Sequence, residues 1–197
     1  MPPPPPTVTR PASVPASPPE RVAAGTLVLR RARTADADAV AAAVAASMDH
    51  LRAWMPWATL AAADPTAQRG RLEEAEEMWD AGSDYIYSVL SGAGQVLIGT
   101  IGLHRRVRQG GIEIGYWIHA DYAGQGNGTA AARALTGVAL ALPDVRWVEI
   151  HCDAANAASA AIPRKLGYRL DRVESRKPTA PGEQGSCMVW IMEAPSP

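Results

Sequence analysis

The chain has 197 residues, 47% of them apolar and 20% charged, with a formal net charge of −1. That length holds one domain with a sizeable core and is short for two. The near-neutral charge supplies neither the basic footprint of a nucleic-acid binder nor a polybasic membrane patch, and no apolar run approaches the roughly 18 residues that cross a bilayer. The expected setting is the cytoplasm, as a monomer or a homodimer, with no nucleic-acid or membrane partner.

Residues 1–24 stand apart. The opening "MPPPPPTVTRPASVPASPPE" holds nine of the 17 prolines and lacks the apolar core of a secretory signal. Few side chains there have anything to bury, which predicts a disordered, partly polyproline II tail. The domain is expected over 25–194. Its first strand reads as Thr26–Ala32, with Thr34 capping the helix that follows. Val40, Val44, Met48, Leu51 and Met55 recur at helical steps until Pro56 breaks the stripe. Asp64 and Pro65 form a cap and first-turn proline for a second helix to about Ala81, with Leu72, Ala75 and Trp79 inward.

The period then changes to two. "DYIYSVL", the turn "SGAGQ" and "VLIGTIGLH" form a hairpin, and "GIEIGYWI" is a third strand. A glycine loop, a helix from about Gly128 to Leu140 and the strand "RWVEIHC" follow. A short helix from Ala157 to Leu166 and strands near "YRLDRVES" and "CMVWIME" complete the chain. The order predicts an α/β (α+β) mixed sheet with helices on it. Its one crossover unit is expected to be right-handed and parallel. Cys152 and Cys187 lie in apolar strand-like runs and match no metal or redox spacing, so they read as buried thiols without a disulfide, and no metal site is expected.

The loop "YAGQGNG", Tyr122–Gly128, carries three alternate glycines between a strand and a helix. The first four amides of a helix lack internal partners, and the helix dipole adds positive potential there. Glycine bares the backbone to a phosphate. The loop is therefore either a plain turn or a pyrophosphate cradle. A P-loop would need a lysine that is absent. A dinucleotide fingerprint would need glycine at Thr129 and a larger doubly wound sheet.

The stretch "IEIGYWIHADYAGQGNGTAAARAL", followed by "DAANAASAAIPRKLGYRL", resembles the GCN5-related N-acetyltransferases (GNAT), and more narrowly the RimJ/RimL-type branch. The resemblance spans about 170 residues, and its specific part is 112–169. It implies the GNAT-like fold, mostly antiparallel with one splayed parallel pair. It also implies acetyl-CoA as cosubstrate and transfer of its acetyl group to a primary amine. The acceptor would be a protein N-terminal α-amine, as in ribosomal proteins, or a small-molecule amine such as an antibiotic or metabolite. A non-catalytic acyl-CoA sensor is the alternative. The family loop [QR]-x-x-G-x-[GA] maps onto Ala123 through Gly128, with Ala123 departing from it. The amides from Gln125 through Gly126, Asn127, Gly128 and Thr129 to Ala130 would hold the pyrophosphate, and the backbone near Trp117, Ile118 and His119 would pair with pantetheine.

Acetyl transfer needs a neutral amine, a donor for the oxyanion and an acid for the leaving thiolate. Glu113, inside an otherwise apolar strand, is the candidate base, its pKa expected to rise by desolvation. The other reading makes it a half-exposed residue paired with an arginine of the preceding loop, such as Arg105. Asn156 suits an N-cap with Ser159 three residues on. The resemblance implies that Asn156 contacts pantetheine and that Ser159 protonates the thiolate. Pro163 removes the helical donor to the Ser159 carbonyl. Trp54, Trp57, Tyr85 and Tyr87 are read as either acceptor-pocket wall or ordinary core, and His50 and Arg52 as either acceptor contacts or solvated residues.

Overall fold

The computed structural model describes residues 17–92 and 95–194. One sheet of eight strands runs in the order β1-β2-β3-β4-β5-β6-β8-β7. The strands are β1 (Arg21–Ala24), β2 (Leu27–Arg31), β3 (Asp84–Ser91), β4 (Val96–His104), β5 (Gly111–Ile118), β6 (Trp147–Asp153), β7 (Arg169–Ser175) and β8 (Ser186–Glu193). The helices are α1 (Ala37–Ala46), α2 (Met48–Arg52), α3 (Pro65–Ala81), α4 (Asn127–Leu140) and α5 (Ala157–Leu166).

Two sequence readings need correction. Arg21–Ala24, assigned to the tail, forms strand β1 and pairs with Leu27–Arg30 of β2. Alternating Val22 and Ala24 give it an inner face despite the prolines before it; the rest of the tail, to residue 16, lies outside the described residues, as do 93–94 of the hairpin turn. Thr34 sits in a 3-10 turn, and α1 starts only at Ala37. The punctuation of α3 follows the sequence. Asp64 accepts the Thr66 and Ala67 amides at 2.7 and 3.1 Å, Pro65 opens α3, and Gly82 closes it in the left-handed region.

The pleat divides the side chains between two cores. On one face, α4 packs over Ile112, Ile114, Val148, Ile150 and the buried residues of β3 and β4. On the other, α1 and α3 pack with Trp117, Ile86 and Leu97. Every neighbouring pair of strands is antiparallel except β5 and β6. That pair stays in register for Gly111↔Trp147, Ile112↔Val148 and Glu113↔Glu149 only. β4 still pairs with β5 as far as Ile118, and β8 still pairs with β6 as far as Asp153. The sheet therefore opens as a wedge between two intact halves, and α5 enters at its mouth.

Gly99 keeps the first half tight. A Cβ there would lie 2.1 Å from the Trp117 carbonyl oxygen, a backbone atom that cannot swing aside. Gly99→Ala is expected to cost about 3 kcal/mol by overpacking, read as a lower urea midpoint, with the loss concentrated in amide-exchange protection of β4 and β5.

Candidate active site

The glycine loop delivers one side of the site. Gly124 and Gly126 have φ of 73° and 87°, and space is open where a Cβ would stand at either. Gly126 is the N-cap of α4 without a side-chain cap bond. The first helical bond runs from the Ala130 amide to the Gly126 carbonyl at 2.9 Å. This corrects the expected cradle. The Ala130 amide is used by the helix, while those of Asn127, Gly128 and Thr129 precede the first helical bond. The side chains of Gln125 and Asn127 turn inward, donating to the carbonyls of Asp121 at 2.6 Å and Tyr122 at 2.9 Å. They shape the loop and leave its backbone to meet a ligand.

His119 also departs from expectation. Its amide donates to Ile98 at 2.8 Å and its carbonyl accepts from Tyr122 at 2.9 Å, so its backbone is engaged. The Trp117 carbonyl lies against β4 at Gly99. Strand alternation then turns the backbone groups of Ile118 toward the open wedge. Of the three residues expected to pair with pantetheine, Ile118 keeps that capacity, and Trp117 contributes its side chain.

Two cavities meet at the wedge. The smaller, about 270 Å3, is lined by Ile118, Ala123, Gly124, Gly126, Gly128 and Thr129. The larger, about 730 Å3, lies on the α1–α3 side and holds Trp57, His104, Arg106, Glu113 and His151. Both are bounded by Trp54, Met55, Tyr116, Trp117, Asn156 and Ser159. Asn156 accepts the Ser159 amide at 3.0 Å, which makes it the N-cap of α5 and a wall of both cavities. The Ser159 hydroxyl lies 3.1 Å from the Tyr116 hydroxyl. Cys152 lines the larger cavity as a free thiol, pushed up to about 11 by burial.

Glu113 pairs with an arginine of the preceding loop, as one sequence reading expects, but it is buried and the arginine is not Arg105. Its partner is Arg106, which grips both carboxylate oxygens at 2.8 and 2.7 Å. Arg105 turns away to Asp144 and the Gly82 carbonyl. Burial works to raise the carboxyl, but the Arg106 hydrogen bonds, with the charges of His151, Arg106 and His104, outweigh it. The group ends below the usual carboxylate range, not above it as burial alone predicts.

Three features escaped the sequence reading. His151 lies with Nδ1 3.9 Å from Glu113, while its Nε2 is 2.6 Å from the buried Glu149. Glu149 also accepts the Trp147 indole N–H at 2.9 Å. Glu149 and His151, two residues apart in "WVEIHC", share one strand face. That period was the available signal. Tyr116 is the second, and the loop 176–185 the third. Asp153 accepts the amides of Gln184, Gly185 and Ser186 at 3.1, 2.9 and 3.2 Å, and the Gly182 amide donates to Ala53 at 2.7 Å. The loop thus straps β8 to the end of α2, and Lys177, Thr179 and Glu183 within it line the larger cavity.

The aromatic readings separate. Trp54 and Trp57 line the cavities, with Trp57 against Trp117 at 6.2 Å and the Arg71 guanidinium 5.9 Å from its ring. Tyr85 and Tyr87 are fully buried, packed edge-on to Trp79 at 5.2 and 4.9 Å. They belong to the core and not to the pocket wall, which Ile86 between them supplies. His50 lines the smaller cavity. Among the described residues no helix is long and apolar enough to cross a membrane, and no group of three or more metal-binding side chains gathers.

The acetyltransferase (GNAT) domain family matches residues 26–169 of the chain. A search of curated proteins by sequence finds no match. Solved structures share the fold. The ribosomal-protein-S5-alanine acetyltransferase from Vibrio fischeri is 17% identical with a TM-score of 0.80, over 89% of this chain and 97% of that one. RimJ of Mycobacterium smegmatis, solved with CoA-disulfide, is 21% identical with a TM-score of 0.78, over 88% and 85%. The microcin self-immunity acetyltransferase MccE, solved with acetyl-CoA and AMP, is 15% identical with a TM-score of 0.78, over 86% and 93%. The chain belongs to the acetyltransferase (GNAT) family, and it is an N-acetyltransferase.

Proposed function

We propose that acetyl-CoA enters through the smaller cavity, that a primary amine enters through the larger, and that the amine attacks the thioester directly where the two meet. The acceptor is an N-terminal α-amine, as in the RimJ/RimL-type branch, or a small-molecule amine. The observation that carries this reading is the shared wall of Tyr116, Asn156 and Ser159 between a bare-backbone cradle and a buried carboxylate. An acyl-CoA sensor without turnover needs the cradle alone. The second cavity, with an ionised Glu113 in it, has a use only if an acceptor binds.

The cradle fits a pyrophosphate. The amides of Asn127, Gly128 and Thr129 have no helical acceptor, and the α4 dipole adds roughly 0.3–1 kcal/mol for an anion, up to about 2 when partly buried. Ala123, where the family carries Arg or Gln, gives up one side-chain contact and leaves those amides untouched. Acetyl-CoA supplies an activated acyl carbon and a thiolate leaving group. Glu113, kept ionised by Arg106, holds the incoming ammonium and takes the first of its protons, so that the amine attacks neutral; the attack acidifies the nitrogen, and its second proton leaves with the CoA thiol. His151, between Glu113 and Glu149, is placed to pass the first proton on, since a neutral imidazole accepts at one ring nitrogen and donates from the other. Ser159 donates a hydrogen bond to the departing sulfur.

Three measurements test this. Gly126→Ala places a Cβ in the cradle and strains a positive φ. It is expected to weaken acetyl-CoA binding at least about tenfold by calorimetry with the circular dichroism of the fold retained. Unchanged affinity would move the pyrophosphate elsewhere. Glu113→Gln is expected to lower kcat/KM by about 100-fold with the best acceptor from a panel of peptides with free N-termini and small amines. Binding of acetyl-CoA with no turnover across the whole panel would favour the sensor. Arg106→Met removes the hydrogen bonds and the guanidinium charge that hold the Glu113 carboxyl down and leaves only the two histidines to oppose burial, so its pKa rises. The acid limb of kcat/KM is therefore expected to shift to higher pH, and an unmoved limb would take Glu113 out of the proton path.

A further inference from the structure

Pro163 stands four residues after Ser159 inside α5. A helix would normally close the Ser159 carbonyl with the amide of residue 163, and proline has none. The carbonyl is not left bare. The Tyr116 hydroxyl, on β5, lies 3.3 Å from it and 3.1 Å from the Ser159 Oγ. One phenol thus meets both oxygens of one serine, across the wedge where β5 and β6 have parted and on the wall common to both cavities.

We propose that Tyr116 is a positioning residue for Ser159, with the carbonyl freed by Pro163 as the second resting place for the phenol proton. This rests on Ser159 being the donor to the departing sulfur. A tyrosine hydroxyl carries one proton, and a serine hydroxyl carries one. Two arrangements satisfy the pair. In the first, Tyr116 donates to the Ser159 carbonyl and the Ser159 hydroxyl donates to Tyr116. In the second, Tyr116 donates to Oγ, and the Ser159 proton points into the junction. The first suits an empty junction, because no buried donor is left unmade. The second suits a junction holding an anionic sulfur. Passing between them takes two hydroxyl rotations and moves no heavy atom. Burial pushes the Tyr116 hydroxyl well above the usual range, so it is protonated in both arrangements and donates in each.

Pro163 has a purpose in this arrangement. An alanine at 163 would supply an amide to the Ser159 carbonyl, occupying the acceptor that Tyr116 uses at rest. The helix would gain a hydrogen bond, and the phenol would lose its first arrangement. The two residues, remote in sequence, therefore serve the same hydroxyl.

The test needs no acceptor amine. Free CoA is bound to the protein, and the pKa of its thiol is read from the thiolate difference absorbance, with desulfo-CoA as the blank. Tyr116→Phe is expected to raise that pKa by about one unit, a tenfold loss of thiolate stabilisation, with CoA affinity within about twofold at neutral pH. Ser159→Ala raises it by at least as much, and Tyr116→Phe with Ser159→Ala raises it no further than Ser159→Ala alone. Pro163→Ala with Tyr116→Phe recovers the melting temperature lost by Tyr116→Phe but not the thiol pKa. If Ser159→Ala moves the pKa and Tyr116→Phe does not, the positioning role is wrong. Additive shifts also overturn it, because Tyr116 then acts on the sulfur without Ser159. Recovery of the thiol pKa together with the melting temperature reduces Tyr116 to a structural support. If Ser159→Ala itself leaves the pKa unmoved, the donor assignment of Ser159 fails first, and the role of Tyr116 falls with it.

Discussion

The site depends on a sheet that stops being a sheet between β5 and β6. Three residue pairs hold the two strands, after which they part. An unpaired strand edge in a protein interior is costly, since each buried amide or carbonyl without a partner forfeits about 1–3 kcal/mol. The wedge survives because each strand keeps a full antiparallel neighbour on its other side, β4 for β5 and β8 for β6. What it leaves is a slot of unused backbone with a helix N-terminus on either side. α4 presents its first amides to one end, and α5 brings Asn156 and Ser159 to the middle. A ligand with an amide-bearing arm and an anionic head is the complement of that slot.

Charge is arranged around the slot in two different ways. At the α4 end the positive potential comes from the backbone, with Lys165 also lining that cavity. At the other end Glu113 is buried but paired, so its burial and its ionisation are both stable. A carboxylate raised by desolvation would start neutral at moderate acidity and could not hold an ammonium. A carboxylate gripped by Arg106 stays ionised above its lowered pKa and so remains able to pair with a cation, at the cost of being a weak base. In the proposed reaction the neighbouring His151, itself backed by Glu149, is what offsets that weakness.

The sequence disclosed those parts that are local. Alternation located β3 to β8 almost to the residue, and Asp64-Pro65, Asn156 and the glycines marked the helix starts. Period two, however, says which residues share a face, and not which face is which. Tyr85 and Tyr87 were correctly grouped, but Ile86 turned out to face the cavity. The same limit hid His151, whose parity with Glu149 was visible while its distance to Glu113 depends on the β5–β6 register. Arg105 and Arg106 follow the end of β4, where a single-residue step sends one side chain to Asp144 and the next to Glu113. β1 was hidden by its neighbours, because a four-residue strand beside a run of prolines has no compositional signature of its own. The strap over the larger cavity is fixed by Asp153 and Ala53, both distant in sequence.

This contrast has a consequence for how the two cavities would vary. The cradle works through amides and through the absence of Cβ atoms at Gly124 and Gly126, so it tolerates changes such as Ala123 that leave the backbone path intact. The larger cavity is built from side chains on many separate segments, among them α1, α3, β3, β4, β5, β6, the stretch after α2 and the 176–185 strap. Each segment also packs against a different neighbour. Trp57 can change only with Trp117 and Arg71, and Glu113 only with Arg106. Specificity for the amine is thus coupled to local packing, whereas capture of the cosubstrate is coupled to helix geometry. A motif reads out the second because geometry is written in glycines. It does not read out the first, because no single stretch of chain contains it.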